Sequence, residues 1–172
     1  IDDGAMRAYG RKLTAFAEFC AEQGVPLAFH HHMGTAVESE HDIDRLMAST
    51  GHAVRLLFDT GHLMFAGADP LAVLEKHGRR IVHVHAKDVR RAVLDKISWN
   101  ADSFLDAVLK GVYTVPGDGC IDFATIVRRL ASIGYEGWFV VEAEQDPVKA
   151  PPLEYARIGH RAHEGEALPE VG

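Results

Sequence analysis

Arg55-Leu56-Leu57-Phe58-Asp59-Thr60-Gly61-His62 is a short apolar run that ends on a carboxylate and, past a glycine, on a histidine. The run is too short for a helix of its own, so it reads as a buried strand delivering polar groups at its tip. Gly61 lets the backbone turn sharply there. The same pattern recurs three times. Pro26 to Phe29 leads into His30-His31-His32, Ile81 to Val84 into His85-Ala86-Lys87-Asp88, and Trp138 to Val141 into Glu142-Ala143-Glu144. Four strands that end in metal-ligand or acid–base residue types describe a catalytic scaffold.

Helical patterns fill the intervals. Residues 5 to 23 carry Met6, Tyr9, Leu13, Phe16, Phe19 and Cys20 at helical spacing, with Asp2 or Asp3 as the cap and Gly24 as the stop. A second helix runs from about Glu38 to Ser49, and a third starts at Pro70, where proline suits the first turn. Leu63 to Ala68 reads as a loop. From about residue 88 to 121 there is no further strand pattern, only a short helix around Phe104 to Leu109 and the loop Val115-Pro116-Gly117-Asp118-Gly119-Cys120. This long insertion is too apolar for disorder, which points to function. Asp122 caps another helix, and Leu153 to about His163 closes the chain.

Alternating strands and helices with connections too long for hairpins imply right-handed βαβ crossovers and a parallel sheet. All four strand tips then gather at one face, where β/α barrels and open sheets keep their sites. Four βα units make half of an eightfold barrel. The fold expected is therefore α/β, the C-terminal half of a (β/α)8 TIM barrel, with residues 1–172 a portion of a single domain; a doubly wound open sheet is the structural alternative. A chain that opens on Ile1, just ahead of a helix, suits the later part of a longer protein.

Composition narrows the partners. Apolar residues at 47% and charged residues at 25% are ordinary for a soluble domain. A net charge of -7, with Arg79-Arg80 and Arg90-Arg91 as isolated pairs, argues against nucleic acid. No spanning apolar stretch is present, so no membrane partner is expected. Cys20 and Cys120 form no disulfide framework, which suits the cytoplasm. Eleven histidines are the compositional outlier.

His, Asp and Glu converging from separate strands are the ligand set for a divalent ion such as Mn, Co or Zn. The candidates are His30 or His32, Asp59, His85 and Glu142. Each has a plainer reading: a strand-end histidine is commonly just hydrogen-bonded, and Asp59 either ligates or caps the following turn. His83 shares the inward face with His85. Lys87 and Asp88 are either an acid–base pair or a plain ion pair, and Glu144 is either a partner of Glu142 or solvated. His41, His52, His77, His160 and His163 lie in polar or terminal stretches and are expected at the surface.

Five phrases carry a resemblance: Phe29-His30-His31-His32-Met33-Gly34-Thr35, Phe58-Asp59-Thr60-Gly61-His62, His83-Val84-His85-Ala86-Lys87-Asp88, Val115 to Phe123, and Glu136 to Pro147. With them the chain resembles the sugar isomerase/epimerase-like superfamily of metal-dependent TIM barrels and, within it, the inosose dehydratase family. The Asp-x-x-His and His-x-Lys-Asp pieces are common to the superfamily. The triple histidine, the Pro-Gly-Asp-Gly-Cys loop and Glu-Ala-Glu-Gln-Asp-Pro are far more specific to the dehydratases. The resemblance implies His30, Asp59, His85 and Glu142 as metal ligands, with Co or Mn as the ion. It puts His62 near the substrate; a dehydratase needs one base and one acid, tasks expected of His62, Lys87 and Glu144, and His32, His83 and Asp88 are expected at the substrate. Position 30 is a departure, since the superfamily usually has a glutamate there.

The function implied is removal of water from 2-keto-myo-inositol (inosose), a cyclic polyol ketone, in inositol catabolism. A ketose isomerase or epimerase with the same metal site is the alternative. A zinc phosphodiesterase acting on damaged DNA would need a basic groove, and a regulatory fragment would hold no metal. Association into a homo-oligomer is expected only by analogy with other barrels.

Overall fold

Each strand anticipated from the sequence is present in the computed structural model, which describes residues 1–164. The main sheet consists of β1 (Leu27–His30), β2 (Val54–Asp59), β3 (Ile81–Ala86) and β6 (Trp138–Val141), adjacent in that order and all parallel. In register, Asp59 stands beside His85, and His85 beside Val140. The C-terminal tips of the strands therefore lie together.

Alternation along β2 divides its two faces. Val54, Leu56 and Phe58 are fully buried against the helices, while Arg55, Leu57 and Asp59 point to the other side. Burying each such apolar side chain contributes roughly 1.5–3 kcal/mol. The helix layer comprises α1 (Asp3–Glu22), α2 (Glu40–Ser49), α4 (Pro70–His77), α7 (Phe123–Ser132) and α8 (Pro152–Glu164). Asp2 caps α1 by accepting the Ala5 N–H at 2.8 Å, and Ser39 and Asp42 form a reciprocal capping box on α2. The buried line of α1 is Met6, Gly10 and Ala17, whereas Tyr9, Phe16 and Phe19 are exposed. Small residues let α1 approach α2 closely: a Cβ on Gly10 would overlap the Ser49 carbonyl.

Two stretches differ from the sequence reading. Residues 60 to 65 form a short helix, α3 (Thr60–Phe65), not the loop expected from Leu63 onward. It starts because Asp59 caps it, and it buries Leu63 and Phe65. The stretch after β3 is not free of strands. β4 (Asp88–Val89) pairs antiparallel with β5 (Tyr113–Thr114), closing a lobe that contains α5 (Arg91–Leu94) and α6 (Phe104–Leu109). Phe65, Val89, Leu94, Ile97, Ala107, Val112 and Tyr113 give this lobe a core of its own. Arg90 ties it down, donating to the carbonyls of Gly111 and Tyr113 and to Asp118.

Candidate active site

At the tip of β2 the two oxygens of Asp59 have separate partners. Oδ1 accepts the His62 backbone N–H at 2.9 Å and caps α3. Oδ2 is buried and forms no hydrogen bond. Capping and ligation, alternatives in the sequence, are thus both open to one carboxylate.

His30 Nε2 and His85 Nδ1 each stand 3.4 Å from this Oδ2, and Glu142 Oε2 stands 3.1 Å from His85 Nδ1. All four atoms are buried, and none has a hydrogen-bond partner. An unsatisfied buried polar atom costs about 1–3 kcal/mol. Four of them facing one another are destabilising unless a further group joins them. Two imidazole nitrogens and two carboxylate oxygens in mutual reach are the donors that hold a divalent first-row ion. The residues present therefore fit a metal, and the ligand atoms of His30, Asp59 and His85 lie within 4.8 Å of one another.

The electrostatics agree with this geometry. Burial disfavours the Asp59 carboxylate, but His30, His85 and Lys87 outweigh it and hold its pKa well below the usual range. Asp59 and Glu142 push the His85 ring up to about 9 against the opposing effect of burial. Glu142 is likewise lowered despite burial, by His85 and Lys87.

Beside the four donors lies a second set. Lys87 is fully buried, and its Nζ is 2.8 Å from Glu144 Oε2, 3.0 Å from Glu142 Oε2, 3.4 Å from Asp59 Oδ2 and 3.1 Å from His62 Nε2. Burial lowers the lysine's pKa, but the carboxylates of Asp59, Glu144 and Glu142 outweigh it and the net shift is upward. Thr60 fixes the backbone beneath it: its hydroxyl donates to the Lys87 carbonyl at 2.7 Å and accepts the Lys87 N–H at 3.2 Å. His62 is also fully buried, and burial lowers its pKa to about 3, so the ring is neutral. An ammonium has only donors, so Lys87 donates to Nε2 and the ring proton sits on Nδ1, facing the Tyr113 hydroxyl at 3.2 Å. His32 donates from Nδ1 to the Met33 carbonyl at 2.8 Å, leaving Nε2 toward Glu144 Oε1 at 3.7 Å.

The histidine triplet alternates as a strand exit should. His30 and His32 have ring centres 5.4 Å apart, while His31 is buried and accepts the Asp59 backbone N–H on Nε2 at 3.3 Å. His83 lies one step down β3, its ring 5.3 Å from that of His85 and apart from the ligand atoms. Asp88 faces away: Oδ1 accepts from Val89 and Ile121 and Oδ2 from Gly119, so the carboxylate organises its own loop. It pairs with neither Lys87 nor the donor cluster. His41, His52 and His160 are exposed as expected. His77 instead pairs with Asp44 at 2.7 Å with 12% of its side chain exposed, and the side chain of His163 lies outside the described residues.

Two residues near the site carry no local signal in the sequence. Tyr113 meets His62 across 51 positions, and the Phe104 ring lies 5.5 Å from His32 and 5.9 Å from His62. Only the apolar character of the stretch around them hints at an ordered role.

The sequence matches the xylose isomerase-like TIM-barrel family over residues 2–163. It is 60% identical over 153 residues to the rhizopine catabolism protein MocC of Rhizobium meliloti, covering 89% of this chain and 47% of that protein. It is 54% identical over 145 residues to an inosose dehydratase of Geobacillus thermodenitrificans, covering 84% and 49%. The chain thus spans about half the length of the curated relatives it matches. Among solved structures, a sugar phosphate isomerase/epimerase from Parabacteroides distasonis superposes with a TM-score of 0.73 at 15% identity, over 98% of this chain and 55% of that one. The IOLI protein, solved with a zinc atom, superposes at 0.67 with 18% identity, over 94% and 56%. No described helix is long and apolar enough to cross a membrane. These solved structures share its fold, and the chain belongs to the xylose isomerase-like TIM-barrel family.

Proposed function

We propose that the protein is a metal-dependent hydro-lyase that removes water from a cyclic polyhydroxy ketone of the inosose type, 2-keto-myo-inositol. The convergence of four buried donor atoms without a hydrogen bond carries this reading, in a chain homologous to inosose dehydratases. His30, Asp59, His85 and Glu142 hold the ion, Mn or Co by family resemblance. Bound there, the ion polarises the substrate carbonyl and makes the neighbouring C–H acidic.

Elimination also needs a base for that proton and an acid for the departing hydroxyl. Glu144 is the base. Lys87 is the acid, giving a proton from Nζ to the leaving oxygen, and it is restored from Glu144, 2.8 Å away. The proton taken from carbon thus replaces the one that Lys87 gave to the water released, and both side chains return to their starting state. His62, neutral and held by Tyr113, fixes the Lys87 ammonium from a third side. In this reading His32 and His83, on the same side as His30 and His85, contact substrate hydroxyls.

The test is an assay on the full-length protein, with Mn or Co supplied and 2-keto-myo-inositol as substrate. Dehydration gives a conjugated enol or dione that absorbs in the ultraviolet. Metal-dependent growth of that absorbance supports the reading; substrate conversion without it would make the protein an isomerase or epimerase. The 60% identity to a rhizopine catabolism protein favours rhizopine as the second substrate to try.

A further inference from the structure

His32 Nε2, His62 Nε2 and a Glu144 carboxylate oxygen form another group of ligand-type atoms within 4.8 Å of one another. Both histidines are set up as ligands would be. Each has Nδ1 turned to an oxygen, His32 to the Met33 carbonyl and His62 to Tyr113, leaving the Nε2 lone pair directed inward. We propose that the Lys87 ammonium is the resident occupant of this second cation position, so that the protein takes one divalent ion in a site whose side chains are sufficient for two. The inference rests on the metal-centre reading above.

Three observations carry it. The Lys87 Nζ stands 2.8 Å from Glu144 Oε2 and 3.1 Å from His62 Nε2, within the reach that a second ion would need. The fold is shaped around the lysine stem: a Cβ on Gly61 would stand 2.5 Å from Lys87 Cγ, 2.7 Å from Cδ and 2.8 Å from Cβ. The Tyr113 ring centre lies 5.2 Å from Nζ, adding an aromatic face suited to an ammonium. Charge agrees as well, because Asp59, Glu142 and Glu144 are balanced by one divalent ion together with one ammonium. A second divalent ion beside Lys87 would meet an unscreened like charge in a buried site.

The experiment counts Mn per chain by elemental analysis on full-length protein, after saturation with Mn²⁺ and desalting. Wild type, Lys87→Met and the double variant Lys87→Met with Glu144→Gln are compared, each checked for folding by circular dichroism. The expected result is one more ion in Lys87→Met than in wild type, lost again in the double variant. A folded Lys87→Met that gains no ion overturns the inference, and so does a wild-type protein that already holds two. If Lys87→Met does not fold, Gly61→Ala, which displaces the same stem, must show the gain. A wild type without any ion defeats the metal-centre reading and this inference with it, whereas no gain in Lys87→Met over a wild type that holds one ion defeats this inference alone.

Discussion

The stem of Lys87 passes through the space that a Cβ on Gly61 would fill, with Cγ 2.5 Å from the position of that added carbon. Gly61 is therefore set by the lysine that crosses it, as well as by the turn after β2. Overpacking of this kind costs about 1–3 kcal/mol. Gly61→Ala is expected to lower the melting temperature moderately and to lower kcat by roughly 100-fold, because Nζ moves off its three carboxylates. Thermal unfolding and steady-state kinetics measure the two effects. Unchanged kcat in a destabilised variant would show that turnover does not need Nζ where it stands.

Glu142 follows β6 directly, and a third of its side chain is exposed. Glu142→Gln keeps the shape and removes the anionic oxygen that faces His85 and Lys87. Metal affinity should fall by on the order of 100-fold or more, beyond the loss usual for a group that only supports a ligand, with the fold intact. Calorimetric titration with Mn²⁺ measures this. Wild-type affinity in the variant would remove Glu142 from the ligand set.

The four strands and their polar tips are legible in the sequence because each strand is a short, mostly apolar run, and Asp59, His85 and Glu142 end such runs. What is not legible depends on length and distance. α3 spans 6 residues, too few to show a helical period, and it exists because Asp59 caps it. β4 and β5 have 2 residues each, so neither shows alternation. The inner line of α1 runs through Gly10 and Ala17, which an apolar count overlooks in favour of the exposed Phe16 and Phe19. The carboxylate of Asp88 is adjacent in sequence to Lys87 yet serves its own loop, since successive residues of a strand exit point in opposite directions.

Tyr113 is fully buried, and its hydroxyl meets His62 Nδ1 at 3.2 Å. Tyr113→Phe leaves the ring over Lys87 and removes only that oxygen. A lost neutral hydrogen bond costs roughly 1 kcal/mol, so a small drop in stability is expected. Because the His62 Nδ1–H then lacks the partner that holds the ring against Lys87, kcat should fall about 10-fold with KM little changed. Kinetics on the purified variant check this, and an equal rise in KM at constant kcat would assign Tyr113 to substrate binding.

In the metal-free protein Asp59 and Glu142 raise the His85 pKa from 6.5 to about 9. A raised folded-state value means that this contribution to stability is complete below pH 6.5 and is lost as pH rises through about 9. The contribution is at most on the order of 3 kcal/mol. Asp59 and Glu142 are shifted downward from 3.8 and 4.5, so their contributions are present above those values and are lost as pH falls. Buried His62, lowered from 6.5 to about 3, costs stability as pH falls below 6.5, so stability without metal should peak near pH 6.5 and decline toward pH 9. An ion at His85 Nδ1 replaces the proton there, so metal affinity rises across the same window and binding releases protons. Urea midpoints measured with and without Mn²⁺ should diverge as pH climbs from 6.5 to 9. A gap between the two curves that stays constant with pH would show that His85 does not exchange its proton for the ion.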